Sequence, residues 1–429
     1  MKYLQDIRAG HNDPRRLEDL YRTTQRENAS DEFKADLLAC HAESPDNMLY
    51  AAWYYRLEVS QPGGPSVNWK LAIPLGLIAG LVFAALSNSR FDFPDHMPYL
   101  ALVWAPIGAC FVIAFLAGTD RAFRQAWPPI VGLLAVGIYV TLLTALAARE
   151  SYQALMVIHL PLVALVGVAL NVLGPRADPQ NRFALLLKTI EAGVTGGVYV
   201  IVGGMFAGIT IGLFSALGIS LPNDLLKMLI AAGGGAITVL AVATVYDPRL
   251  RPAAQRFEQG LGKLVPIMMR LLLPLTLVVL IVYLFFIPFN FMQPFRNRDI
   301  LIVYNVMLFA VMGLLIGVMP MQEQDLPQKY HGALRTGVLA VAGLTILIGL
   351  YALSATVYRT ALGGFTINRV TVIGWNVVNI GILVLLVYKQ LKYGATAWIR
   401  SLQSTFSAGT IAYVVWALFL VLATPWLFH

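Results

Sequence analysis

Eleven long apolar blocks dominate this chain, at residues 69–88, 97–118, 127–147, 153–174, 190–218, 224–246, 264–289, 299–320, 334–354, 369–388 and 405–427. Each approaches or exceeds the roughly 18 residues that let an α-helix cross a bilayer. Only 13% of the 429 residues are charged, against about 25% in soluble domains. The expected fold is all-α, a polytopic helical membrane protein of about eleven transmembrane helices. That domain spans residues 69–429, after a soluble helical segment at 1–60 and a linker at 61–68. The fifth block is overlong, which predicts tilt, a kink or an extension beyond the bilayer. Residues 218–223 are short enough for a tight helical hairpin.

The first 60 residues differ in character. They carry 8 basic and 11 acidic residues, while the remainder carries 23 and 12. No cleavable signal peptide is expected, because this stretch is too polar for an apolar core segment. Asp13 caps a predicted helix with Pro14 in its first turn. Ser30 caps a second through Cys40, and residues 44–46 start a third that ends near Glu58. The run QPGGPS at 61–66 reads as a linker. Trp53, Tyr54 and Tyr55 suit a docking surface for a protein partner, or packing against the membrane domain.

Loop charge predicts orientation. With the N-terminus in the cytoplasm, cytoplasmic loops hold 14 Lys and Arg residues, including Arg121, Arg176, Arg251 and Lys392. The opposite loops hold six: Arg90, Arg149, Arg296, Arg298, Arg359 and Arg369. The bias predicts N-terminus inside, C-terminus outside and an odd number of spans. Net charge is +8, but the basic residues lie between apolar blocks, so membrane topology explains them better than nucleic acid does.

Walker A, HExxH, GxSxG and paired-cysteine patterns are missing, which argues against an ATPase, a zinc protease and a serine hydrolase. No cofactor, metal site or catalytic residue is expected. Cys110 reads as a small apolar residue, and two cysteines cannot staple a secreted scaffold. Gly193 and Gly197, then Gly204, Gly208 and Gly212, form stripes that let helices approach closely in lipid. Packing within the molecule is the ordinary reading, and a homo-oligomer interface or hinge is the functional one. The run 233–235 could break the sixth span. Lys188 and Glu191 can pair, Asn223 or Asp224 can cap the sixth span, and Arg270 either snorkels or faces inward. His159 suits hydrogen-bonded packing better than proton relay.

The cluster that points to function lies on the predicted outer side, where arginine runs against the charge bias. Arg296, Arg298 and Asp299 precede the eighth span, with Tyr304 and Asn305 just inside it. Tyr358, Arg359, Thr366 and Arg369 lie between the ninth and tenth spans, and Asn376 and Asn379 follow on one face of the tenth. Arginine presents a planar fork suited to phosphate or carboxylate. Arg296, Arg298, Tyr304, Asn305, Arg359, Thr366, Arg369 and Asn376 are the candidate substrate-binding residues. If they converge, they make an anion-binding surface, and interfacial arginine is the ordinary alternative.

The stretch YRTALGGFTINR at 358–369, with the apolar tenth span after it, resembles a pattern in bacterial multi-pass membrane proteins grouped as domain of unknown function 4153. Gly364, Thr366 and Arg369 occupy the matching positions, and RDILIVYNVMLFAVMG at 298–313 is similar in character. The resemblance covers about the last third of the chain. It implies a permease-like protein of the bacterial inner membrane and brings no established activity. Three functions remain open. The first is a permease-like protein that binds or moves an anionic or lipid-like solute. The second is a membrane scaffold docking a partner through its N-terminal helices. The third is an enzyme on a lipid-linked substrate, for which Asp299 is the obvious acid.

Overall fold

The computed structural model describes residues 3–26, 29–59, 67–88, 98–146, 150–174, 177–257, 260–321, 326–394 and 397–428. Residues 61–66 of the expected linker and the loop residues Arg90, Arg149 and Arg176 lie outside them. The chain divides into two compact units, Met1–Ser66 and Val67–His429.

Among its described residues the first unit holds four helices, α1 (Leu4–Ala9), α2 (Pro14–Arg26), α3 (Ser30–Glu43) and α4 (Met48–Val59). Asp13 caps α2, accepting from the backbone N–H groups of Arg15 and Arg16 at 3.0 and 3.2 Å. Two expected caps shift. Ala29, not Ser30, stands at the start of α3. Asn47 caps α4, accepting from the N–H groups of Leu49 and Tyr50. Ile7, Leu17, Phe33, Leu37, Tyr50 and Trp53 close a core. Trp53 is therefore a core residue, not part of a docking surface, whereas Tyr55 is exposed. The helices of this unit are tied at long range: the Tyr3 N–H donates to Asp36 and the Tyr50 hydroxyl to the Ile7 carbonyl.

The second unit contains α5 (Trp69–Leu86), α6 (Tyr99–Asp120), α7 (Phe123–Leu146), α8 (Glu150–Leu173), α9 (Pro179–Ala216), α10 (Asn223–Val245) and α11 (Leu261–Phe286). It continues through α12 (Gln293–Arg296), α13 (Arg298–Gly317), α14 (Gln328–Gly363), α15 (Ile367–Tyr393), α16 (Trp398–Leu422) and α17 (Thr424–Leu427). Eleven of these helices, all but α12 and α17, are long and apolar enough to cross a membrane. The protein is an all-α, multi-pass membrane protein.

Two helices overrun the predicted blocks. The α9 helix runs for 38 residues because Asp178 caps it, accepting from the Asn181 N–H, with Pro179 at its first position; this is a strong start signal. Its first turns also bury Phe183, Ala184 and Leu187. The α14 helix runs for 36 residues to Gly363. It stops where Gly364 adopts φ +75°, a value that side-chain-bearing residues avoid.

The glycines divide by role. No break occurs at 233–235, because α10 is continuous. A Cβ at Gly235 would lie 2.6 Å from the Ala79 carbonyl oxygen, and one at Gly80 would lie 2.7 Å from that of Ala232. Thus α5 and α10 pack backbone against backbone. The α9 stripe behaves otherwise. Gly193, Gly197, Gly204, Gly208 and Gly212 have nothing within 4 Å of an added Cβ, so the expected intramolecular packing of this stripe does not occur among the described residues. Asp224 also differs from expectation: neither it nor Asn223 caps α10, which starts after Pro222 without a side-chain cap.

Candidate functional site

The turn between α14 and α15 builds the site. Gly364 allows the left-handed φ that reverses the chain. Thr366 then caps α15, its hydroxyl accepting from the Arg369 N–H at 3.4 Å. The Arg369 side chain folds back and donates through Nη1 to the Gly364 carbonyl at 2.6 Å. Gly363 makes room for it, since a Cβ there would stand 2.7 Å from both terminal guanidinium nitrogens. The two consecutive glycines therefore have different tasks, one conformational and one steric.

One helix back, Arg359 donates through Nη1 to the carbonyl of Arg296 at 2.9 Å and to that of Phe295 at 3.5 Å. This holds the end of α12 against α14. On α13 the Asn297 side chain accepts from the Asp299 N–H and caps the helix, which sets Arg298 on its first turn.

These segments meet around a cleft of about 1250 Å³. Arg298, Arg359, Thr366 and Arg369 line it together with Thr356 and Asn368. The remaining wall is largely apolar and comes from α7, α8, α13, α15 and the segment 425–428, including Ile158, Ile302, Val372 and Trp426. That last segment is anchored: the Trp426 indole donates to the Tyr139 hydroxyl, and the Tyr139 and Tyr152 hydroxyls donate to the carbonyls of Leu422 and Val421. No carboxylate is among the described residues that line the cleft. Three arginines therefore line one space with no carboxylate among its described lining residues, and Arg359 and Arg369 are each held through Nη1 by backbone carbonyls. Such donors, preset by backbone carbonyls, suit a phosphate or carboxylate.

Four of the eight predicted residues stand in this cleft, and four do not. Arg296 is exposed and contributes its carbonyl to Arg359 rather than its guanidinium to the cleft. Tyr304 lies on another face of α13, buried, with its hydroxyl bonded to that of Tyr283. Asn305 and Asn376 lie below the cleft and bond to each other, Asn376 Nδ2 donating to Asn305 Oδ1 at 3.0 Å. Helical phase explains the split, because neighbouring positions on α13 point in different directions. Asp299 is exposed and does not line the cleft. Sequence reasoning missed Thr356, Asn368, Tyr152 and Trp426. Asn368 was legible as the neighbour of Arg369, whereas Trp426 carried no local signal.

Other charged pairs are structural. Lys188 and Glu191 pair at 2.8 Å with both side chains buried. The lysine also donates to the Arg256 carbonyl at 2.6 Å and sits over the Phe257 ring. Gly262 closes over the carboxylate, since a Cβ there would lie 3.2 and 3.3 Å from its oxygens. Arg270 donates to the Val318 carbonyl at the end of α13. Among the described residues, no group of His, Cys, Asp and Glu could hold a metal ion.

No protein-family model, curated protein or solved structure matches this chain.

Proposed function

We propose that this protein is permease-like and binds or moves an anionic, lipid-like solute. One observation carries the reading: Arg298, Arg359, Thr366 and Arg369 line a single cleft whose remaining wall is largely apolar. An anionic head group bonds the guanidinium edges, and an apolar tail lies against Ile158, Ile302, Val372 and Trp426. The likeness to domain of unknown function 4153 belongs to this proposal, since Gly364, Thr366 and Arg369 are the residues that shape the cleft. So do placement in a bacterial inner membrane, which rests on that likeness, and an orientation with the N-terminus inside and the cleft outward, which rests on loop charge. The enzyme alternative finds no support in the wall of the cleft, because Asp299 is not part of it.

The test uses purified protein in nanodiscs of zwitterionic lipid, with phosphatidylglycerol titrated in and binding read by native mass spectrometry. Wild type prefers phosphatidylglycerol to phosphatidylcholine. Arg298→Gln and Arg369→Gln each weaken that preference about tenfold or more, as expected for loss of a charge-assisted bond. Equal binding of the two lipids, or no effect of either substitution, overturns the reading. Passage is then read as movement of fluorescent phosphatidylglycerol across proteoliposome membranes.

A scaffold role is the second reading. It is supported by a first unit that closes its own core and still leaves Met48 and Tyr55 exposed. Loss of a stoichiometric partner on deleting residues 1–60 tests it. Homo-oligomer formation through the α9 stripe is part of the same reading, and crosslinking at Gly208→Cys checks it.

A further inference from the structure

Asn376 and Asn379 lie three positions apart on α15, near the middle of a 27-residue helix. Their exposures are 1% and 0%. Half of each amide is engaged. Asn376 Nδ2 donates to Asn305 Oδ1 at 3.0 Å and to the Val372 carbonyl at 2.8 Å, while its Oδ1 accepts from no group among the described residues. Asn379 Oδ1 accepts from the Tyr413 hydroxyl, while its Nδ2 finds no acceptor among the described residues. Residues three apart share a helix face, so an unmet acceptor and an unmet donor lie on the same side of α15. Buried polar groups are rarely left in this state, and least of all inside a membrane.

Turning the amides over does not remove the mismatch. Both partners of Asn376 Nδ2 are acceptors, and Asn305 is itself oriented by its Nδ2 donating to the Leu301 carbonyl at 2.8 Å. The Asn376 oxygen is therefore fixed as the unmet atom. Reversing Asn379 lets the Tyr413 oxygen accept and leaves an unmet oxygen instead. In the first arrangement one hydroxyl group meets both atoms, donating to Asn376 Oδ1 and accepting from Asn379 Nδ2; in the reversed one the two oxygens need two O–H donors, which water has and an alcohol does not.

We propose that Asn376 and Asn379 form a buried binding position for one hydroxyl group, supplied by water or by the solute itself. It sits about one helical turn beneath the cleft. Val372 and Leu301 line that cleft, and their carbonyls receive the amides of Asn376 and Asn305. Its role as a stop on a route inward from the cleft rests on the proposed function; its existence does not.

The test is a high-resolution density map of the wild type in zwitterionic nanodiscs, with and without phosphatidylglycerol. A peak within hydrogen-bond distance of both amides in both maps identifies water, and one that needs phosphatidylglycerol identifies a solute hydroxyl. Either supports the site. Maps without a peak, in which both amides are met by protein atoms, overturn it. Asn379→Leu supplies the second readout. It should abolish the peak, leave phosphatidylglycerol binding at the cleft within about twofold, and slow passage about tenfold or more. Unchanged passage overturns the role on the route. If the wild type fails to prefer phosphatidylglycerol, the cleft reading falls, and the map still decides the asparagine site.

Discussion

Trp375 donates from its indole nitrogen to Nε2 of His159 at 2.9 Å, joining α15 to α8 across 216 positions of sequence. An indole N–H can only donate, so Nε2 accepts and the imidazole proton resides on Nδ1. That nitrogen meets the Leu155 carbonyl at 2.7 Å. Both ring nitrogens are thus engaged in a neutral tautomer, and His159 ties two helices together rather than passing protons. His159→Leu leaves a buried indole N–H without a partner and should cost about 1–3 kcal/mol. Trp375→Phe in that background should recover part of the loss. Thermal unfolding in detergent checks this, and strictly additive effects would refute the tie.

The turn after α14 separates strain from space. Gly364→Ala forces a Cβ into a left-handed φ and should destabilise by about 1–3 kcal/mol. Gly363→Ala meets only the far end of the Arg369 side chain, which can move. It should unfold within a few degrees of wild type and yet lose phosphatidylglycerol preference about tenfold. Equal stability losses for the two variants would contradict this division.

The contact of α5 with α10 tolerates no side chain at two glycines. Gly235→Ala and Gly80→Ala each push a Cβ against a carbonyl of the facing backbone, and overpacking of this kind costs about 1–3 kcal/mol. Gly234→Ala, one position away, has nothing within 4 Å of the added Cβ and should unfold like wild type. Melting curves of the three variants decide the matter.

The start of α9 should weaken in acid. The Asn181 backbone N–H, followed by its side-chain amide, holds the Asp178 carboxyl below its ordinary range. A lowered carboxyl contributes stability that is present above its unfolded pKa and lost as pH falls through the folded value. Asp178→Ala should cost about 1 kcal/mol at about pH 7, and that cost should shrink as pH falls below the ordinary carboxylate range. Asp178→Asn keeps a neutral cap and should flatten that dependence. A difference between wild type and Asp178→Asn that stays constant across the range would sink the argument.

Much of the architecture was readable from periodicity and length alone. All eleven spans fell on the predicted blocks, because membrane helices satisfy their own backbone and need only a long apolar run. The misreadings came where neighbours decide. Whether a glycine stripe packs depends on what lies opposite, so Gly235 packs against α5 while Gly208 meets nothing within 4 Å among the described residues. Trp53 read as a residue for docking a partner or for packing against the membrane domain, because an aromatic side chain looks the same in sequence whether it fills its own unit's core or serves a contact elsewhere.

The sequence by itself determined the class of the protein, the order of its helices, and the arginines with their flanking glycines and threonine. Those are properties of single segments, set by hydropathy, capping and backbone freedom. Only the tertiary structure decided which of the eight candidates share a space. Arg298, Arg359 and Arg369 converge because α13, α14 and α15 end at the same edge of the bundle. Tyr304 and Asn376 fall on other faces of those helices. Trp426 joins the cleft because Tyr139 on α7 holds it there. Convergence of this kind is a relation between helices, and it has no signature in any one of them.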